Sequence, residues 1–244
     1  MLFRSPKAHD RVGRGVPGTT NDGSILQTSS MICFLGSSHA ANHLRRAAQK
    51  LNFHLTNEPE AATVVFISED TPTDSQGNRS LIRITDMVKK AATSSAQLVL
   101  TSQVPPGFTR ALRVPNILHQ AETLRIRDAE ERALRPEYIA VGGPYELHPE
   151  YSDYLLAFQC PVLRMTWEEA EFSKIAVNMA LAAQVDYTNR LSAAATKVGA
   201  QWENVVKALR LDSRIGQQSY LIPGRWQDSK HLLRDSVTLE EIEK

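Results

Sequence analysis

Lys174 and Asn178 stand four residues apart in a stretch with helical apolar spacing, so both side chains leave one helix face. An ammonium and a carboxamide placed together can hold a water or a developing oxyanion. Taken alone, such a pair is usually a solvated face. Arg214, in Asp212-Ser213-Arg214-Ile215-Gly216, offers a guanidinium whose paired donors suit a phosphate or carboxylate. The plainer reading is a surface arginine after a helix. It is followed by Tyr220-Leu221-Ile222-Pro223-Gly224, a Pro-Gly loop that could border a ligand.

The elements that must position these groups follow from apolar periodicity. Residues 32–35 form a short apolar run ending at Gly36, and Ala40, Leu44, Ala47, Ala48 and Leu51 follow at helical spacing. That is strand, tight turn, helix. Residues 61–67 (AATVVFI) read as a strand buried on both faces. Residues 81–93 are helical through Ile82, Ile84, Met87, Val88 and Ala91. Residues 97–100 form another buried strand, and Gln103-Val104-Pro105-Pro106-Gly107 fixes a rigid loop at its carboxyl end. Residues 116–118 and 138–141 add two strands, with an arginine-rich stretch over 124–134 between them. The alternation predicts an α/β fold with a mostly parallel sheet. Ligands of such sheets sit at the carboxyl ends of the strands, so the turns at Gly36, Thr71-Pro72 and Pro105-Pro106-Gly107 should surround one crevice.

The character changes at Thr166, which with Glu169 makes a capping-box start. Phe172, Ile175, Met179, Ala183, Tyr187, Leu191, Ala194 and Val198 then recur every three or four residues, and Gly199 is a stop. A helix of about 32 residues would be roughly 48 Å long. Its many alanines permit close approach of another helix. Such a helix either bridges domains and builds a dimer interface or lies in the core of one domain.

Composition narrows the function classes. The chain has 244 residues, 42% hydrophobic and 23% charged, with a net charge of +1, so nucleic acid and anionic membranes are not expected partners. No apolar run approaches the ~18 residues of a membrane span. Cys33 and Cys160 lie in apolar contexts and read as core residues of a reducing, cytoplasmic compartment, with a disulfide between them as the lesser alternative. No metal is expected. Residues 1–30 are rich in Gly, Pro, Ser, Thr and Arg and read as a disordered arm. A transit peptide is the lesser reading of that arm, because it lacks an apolar face.

The order of these features resembles the UDP-glucose/GDP-mannose dehydrogenase family, which oxidises a sugar-nucleotide alcohol to a carboxylate with NAD. The resemblance covers residues 31–235 and is fullest over 172–224. Residues 101–109, Thr-Ser-Gln-Val-Pro-Pro-Gly-Phe-Thr, resemble the family's Glu-Ser-Thr-Val-Pro-Pro-Gly-Thr-Thr. Residues 67–74 resemble its strand ending in Thr-Pro-Thr-Asp, which implies that Thr71 lies beside the dinucleotide. It also implies that Lys174 and Asn178 serve the oxidation at the sugar carbon. Gln103 takes the place of a threonine that touches cofactor and catalytic water. Glu122, in Gln120-Ala121-Glu122-Thr123-Leu124, matches the glutamate of Asn-Pro-Glu-Phe-Leu and would act as general base or hold a water. Arg214 would reach the nucleotide sugar of a partner subunit, with Gly224 in the substrate loop.

The departures matter as much. Where the family has Gly-Gly-Ser-Cys-Phe-Pro-Lys-Asp, an ungapped reading from Pro223-Gly224 puts His231 at the catalytic cysteine and Arg234-Asp235 at the Lys-Asp pair. A neutral imidazole can act as a base but cannot form the thioester of the second oxidation, so any oxidation should stop at the aldehyde. The Gly-x-Gly-x-x-Gly turn is Gly36-Ser37-Ser38-His39-Ala40-Ala41. Gly36 keeps the tight turn, but Ser38 replaces the glycine that lets the backbone approach the pyrophosphate. Glu69 and Asp70 add unfavourable negative charge nearby. Residues 51–60 leave no evident room for a second strand, a second helix or the ribose-binding acid. The family's third, nucleotide-binding domain is not expected in this chain.

The expectation is a truncated Rossmann-like parallel sheet over 31–165, then an all-helical dimerisation domain over 166–244 with a long central helix. Two functions compete. One is a UDP-glucose 6-dehydrogenase-like oxidoreductase acting on a CH–OH group of a nucleotide sugar with weakly held NAD. The other is an inactive dimeric relative, paired through the 166–199 helix, that serves as a binding or regulatory module.

Overall fold

The computed structural model describes residues 31–144 and 146–244; the arm expected over 1–30 lies outside the described residues. The chain runs β1 (Met31–Leu35), α1 (His39–Lys50), β2 (His54–Thr56), β3 (Val64–Ile67), α2 (Ile82–Ala91), β4 (Gln97–Leu100), α3 (Phe108–Ala111) and β5 (Ile117–Gln120). It continues through α4 (Ala129–Leu134), β6 (Ile139–Gly142), α5 (Pro149–Ala157) and β7 (Val162–Met165). The strands form one sheet of order β2-β1-β3-β4-β5-β6-β7. Every pairing is parallel except β5 with β6. This is the Rossmann-like α/β sheet expected.

Period-two alternation splits the strand side chains between two cores. Ile32, Phe34, Val64, Phe66, Val99 and Leu118 face one way, against Leu44 and Ala48 of α1 and Tyr151, Tyr154 and Leu155 of α5. Cys33, Val65, Ile67, Leu98, Leu100 and Ile117 face the other way, against Ile84 and Val88 of α2. β3, β4, β5 and β6 are buried along their whole length, as continuous apolar strands between two helical layers should be.

One expectation fails at the edge. A second strand does exist: after α1 the chain turns through Asn52 at φ +62° and lays β2 parallel to β1, pairing Met31 with His54 and Cys33 with Thr56. One exposed and two half-exposed residues carry too little alternation to be read from sequence. A 3-10 turn, Pro59–Ala61, then leads straight to β3 on the other side of β1. The second helix and an outermost strand are therefore what this route omits. β7, the opposite edge strand, was also missed, because its burial is partial and its pattern weak.

The helical region opens with α6 (Trp167–Lys197), 31 residues long, and both hydrogen bonds of the Thr166/Glu169 capping box are present. It is followed by α7 (Trp202–Leu211) and α8 (Lys230–Ile242). α6 packs on β5, β6, α3 and α8. Its buried face is Ala170, Glu171, Ile175, Asn178, Ala182, Val185, Thr188 and Ala195. The apolar stripe expected from sequence is for the most part a different one. Ile175 is buried, but Phe172, Tyr187 and Val198 are 39%, 59% and 80% exposed, and Ala176, Ala180, Ala183 and Ala194 are exposed with them. The inner face is small and partly polar, whereas the outer face keeps the regular apolar spacing. Among the described residues no helix is long and apolar enough to cross a membrane.

Gly142 sets how closely α6 approaches the sheet: a Cβ there would meet Thr166 O at 2.4 Å and Ala170 Cβ at 2.7 Å. Gly142→Ala should cost about 1–3 kcal/mol by overpacking, seen as a lower urea midpoint at unchanged slope. His119 on β5 is 2% exposed, and burial pushes its pKa down to about 3. The unfolded value is ~6.5, so the unfolded chain binds the proton first as pH falls. Stability should be full above pH ~6.5 and fall by up to ~1.4 kcal/mol per pH unit below it, until about pH 3. Urea unfolding at several pH values checks the slope, and His119→Leu should flatten it.

Candidate active site

The crevice at the carboxyl ends of β1 and β3 begins at Gly36. Its φ is +111°, and a Cβ there would stand 2.1 Å from Ser68 O, so only glycine fits. Ser38 caps α1: its Oγ accepts from Ala41 N at 3.0 Å and donates to Ser68 O at 2.8 Å. The Ser38 side chain therefore turns into the fold rather than out towards a ligand. Obstruction comes from Glu69, a buried residue whose carboxylate accepts the Ser37 N–H at 3.2 Å and pairs with Arg83 at 3.2 Å. That carboxylate holds an amide of the turn that would otherwise face an anion.

Beyond β3 and β4 the side chains converge on Asp235 of α8, which is fully buried. Its carboxylate accepts from Arg79 Nη2 at 2.9 Å, Gln103 Nε2 at 2.6 Å and Asn178 Nδ2 at 2.7 Å. Arg79 also donates to Thr238 Oγ1 at 2.8 Å and to the carbonyls of Gln103 and Arg234 at 3.3 Å. Arg234, 5% exposed, reaches back to Thr71 O at 3.3 Å and donates to Thr71 Oγ1 and Gln103 Oε1. Burial and then the neighbouring Arg79 pull the Arg234 pKa down to about 10, against Asp235, Asp70 and Glu122.

His231 lies one turn before Asp235, at the mouth of this cluster. Its pKa is lowered, first by partial burial and then by the charges of Arg234 and Lys174, with Asp235 and Asp70 opposing. It is therefore a neutral imidazole at neutral pH. Lys174, half-buried, sits one turn before Asn178 on α6. The structure thus brings together Lys174, Asn178, Gln103, Thr71, His231, Arg234 and Asp235, drawn from four separate segments.

Other expected residues take no part in the Asp235 hydrogen bonds. Glu122 folds back to accept its neighbour Leu124 N–H, beside a cavity of about 30 Å³ lined by Gln120, Arg132 and Tyr154, among others. Arg214 is exposed and holds its own Asp212 at 2.7 Å, which lowers that carboxyl to about 2. Gly224 is clamped to α6 through both backbone groups by the Asn189 amide, at 2.9 and 2.8 Å.

Three contributors were missed from sequence. Arg79, in the loop after β3, had no signal, because its partner lies 156 residues away. Glu171, 1% exposed, accepts Gly107 N at 2.5 Å and Thr109 N at 2.7 Å, locking the Pro-Pro-Gly loop to α6. Burial raises its pKa, and those donors hold it back. Its place one turn before Ile175, on the buried face, was the available clue. Glu58, just past β2 and about twenty residues after Gly36, stands where such folds carry a ribose-binding acid.

Residues 168–241 match the family model described as UDP-glucose/GDP-mannose dehydrogenase family, central domain. The chain is 30% identical over 186 residues to UDP-glucose 6-dehydrogenase YwqF of Bacillus subtilis, covering 69% of this chain and 42% of that protein. It is 26% identical over 234 residues to the UDP-glucose 6-dehydrogenase of Rickettsia felis, covering 84% and 50%. The chain therefore spans half or less of the length of these curated relatives. A solved UDP-glucose dehydrogenase from Pyrobaculum islandicum superposes with a TM-score of 0.68 at 18% identity, over 90% of this chain and 66% of that one, which shows the shared fold. The chain belongs to the UDP-glucose/GDP-mannose dehydrogenase family. It has no cysteine in the matched segment: Cys33 is buried in the sheet, its thiol pushed up to about 11, and Cys160 precedes β7.

The network makes a stability prediction. Asp235→Ala would leave Arg79 and Arg234 buried without their carboxylate, at a cost of about 3–5 kcal/mol. Chemical denaturation with circular dichroism should show that loss, well above the ~1 kcal/mol of a typical substitution.

Proposed function

We propose that this chain is a non-oxidising relative of the nucleotide-sugar dehydrogenases, a binding or regulatory module that retains their scaffold and pairs through the outward face of α6. The observation that carries this reading is the closed Asp235 network. Asp235 accepts from Asn178, Gln103 and Arg79, and Gln103 accepts from Arg234, so the buried carboxylate is committed to holding these segments together rather than to activating a water or a sugar hydroxyl. His231 cannot supply the sulfur of a thioester.

NAD fits this chain poorly. Glu58 suits a ribose. The phosphate turn does not suit a pyrophosphate, because Glu69 already holds the Ser37 amide and would repel a diphosphate. Arg234 lies across Thr71 and Gln103, the places where the resemblance puts the cofactor.

The outer α6 stripe of Phe172, Ala176, Ala180, Ala183 and Tyr187 supports a homodimer, since small residues between two aromatics let a second helix approach closely. Residues 31–165 form the sheet unit and 166–244 the helical unit in this reading. The two free cysteines agree with a reducing cytoplasm. A nucleotide sugar remains the natural ligand class, with Arg214 available to a partner subunit once it leaves Asp212.

A second reading is favoured by the clustering of Lys174, Asn178 and Asp235 beside His231: an NAD-dependent oxidoreductase on the CH–OH group of a nucleotide sugar, halted at the aldehyde. One assay separates the two. The purified protein is incubated with UDP-glucose and NAD and followed for NADH, and the same is done with His231→Cys. Silence in both, with a dimer by light scattering, is the expected result. Turnover by the unmodified protein would sink the proposal.

A further inference from the structure

α1 carries a pair of histidines that the strand-end cluster does not use. His39 is its first residue and His43 lies one turn on, with their Nε2 atoms 3.1 Å apart and ring centroids 4.4 Å apart. His39 is exposed and His43 half-exposed, so solvent reaches the pair. Two histidines at this spacing on one helix face are a recurrent two-point metal ligand. Two nitrogens each ~2.0–2.1 Å from one divalent ion lie about 2.9–3.4 Å apart for coordination angles from square to tetrahedral. The observed separation falls in that range, so a metal can bridge the rings with little movement.

We infer that His39 and His43 form a bidentate site for a borderline divalent transition metal such as Zn2+, Ni2+ or Cu2+. Imidazole selects these ions over Mg2+ or Ca2+, which prefer oxygen ligands. Glu130 of α4 is paired with Lys50 at 2.5 Å. Among the described residues no third His, Cys, Asp or Glu completes a protein cage, so the remaining positions fall to water or an added anion. His43 Nδ1 has no hydrogen-bond partner, so the outer-shell hold that tightens many metal sites is missing. Affinity should therefore lie in the micromolar range rather than below it.

The test is calorimetric titration of ZnCl2 and NiCl2 into the full chain at neutral pH, with circular dichroism confirming the fold of each variant. One ion per chain is expected. His39→Ala and His43→Ala should each weaken binding about tenfold or more, the double variant should abolish it, and His54→Ala, on the exposed edge strand, should leave it unchanged. With Cu2+, the electron paramagnetic resonance spectrum should show two coupled nitrogens, falling to one or none in either single variant. No binding at tens of micromolar metal, or equal binding by the double variant, would overturn the assignment.

Discussion

The Asp235 carboxylate ties together four segments: the loop carrying Arg79, the loop carrying Gln103, α6 through Asn178, and α8 itself. A carboxylate has acceptor capacity for three such donors, and burying one is tolerable only when those donors are in place. Any shift of α8 must therefore carry the loops after β3 and β4 with it. Glu171 repeats the device on a smaller scale, with two backbone N–H groups as donors.

This constraint explains a pair of departures from the family pattern that look unrelated in sequence. By the resemblance, Gln103 takes the place of a threonine and Arg234 that of a lysine. The glutamine amide donates to Asp235 and accepts from Arg234, which a single short hydroxyl could not do at that reach. The longer, forked guanidinium of Arg234 spans Gln103 and Thr71 together. The two substitutions are halves of one repacking. Glu69 acts similarly at the opposite end of the crevice, where the protein meets the Ser37 amide of its own turn with an internal anion.

The sheet's central strands were legible because each is a continuous apolar run, and α6 because its cap and its spacing agree. Convergence of Lys174, Asn178, Thr71, Gln103 and Asp235 was legible through resemblance, since the motifs that carry them sit at strand ends and on one helix face. β2 and β7 were not legible: edge strands need only one apolar side, and three or four residues hold too little pattern. The face of α6 was misread because sequence spacing shows that a stripe exists but not which side of the helix turns inward. Here the inward side is built around Asn178 and Glu171, polar residues that periodicity discounts. Arg79 was invisible because an ion pair between distant residues leaves no local mark.

The same separation bears on how the chain matures. Arg79 emerges from the ribosome 156 residues before Asp235. At about 5–20 residues per second the guanidinium waits roughly ten to thirty seconds for its counterion. Until α8 arrives, Arg79 lacks its buried carboxylate. Closure of that corner is thus a long-range event, set by the arrival of α8 rather than by local sequence.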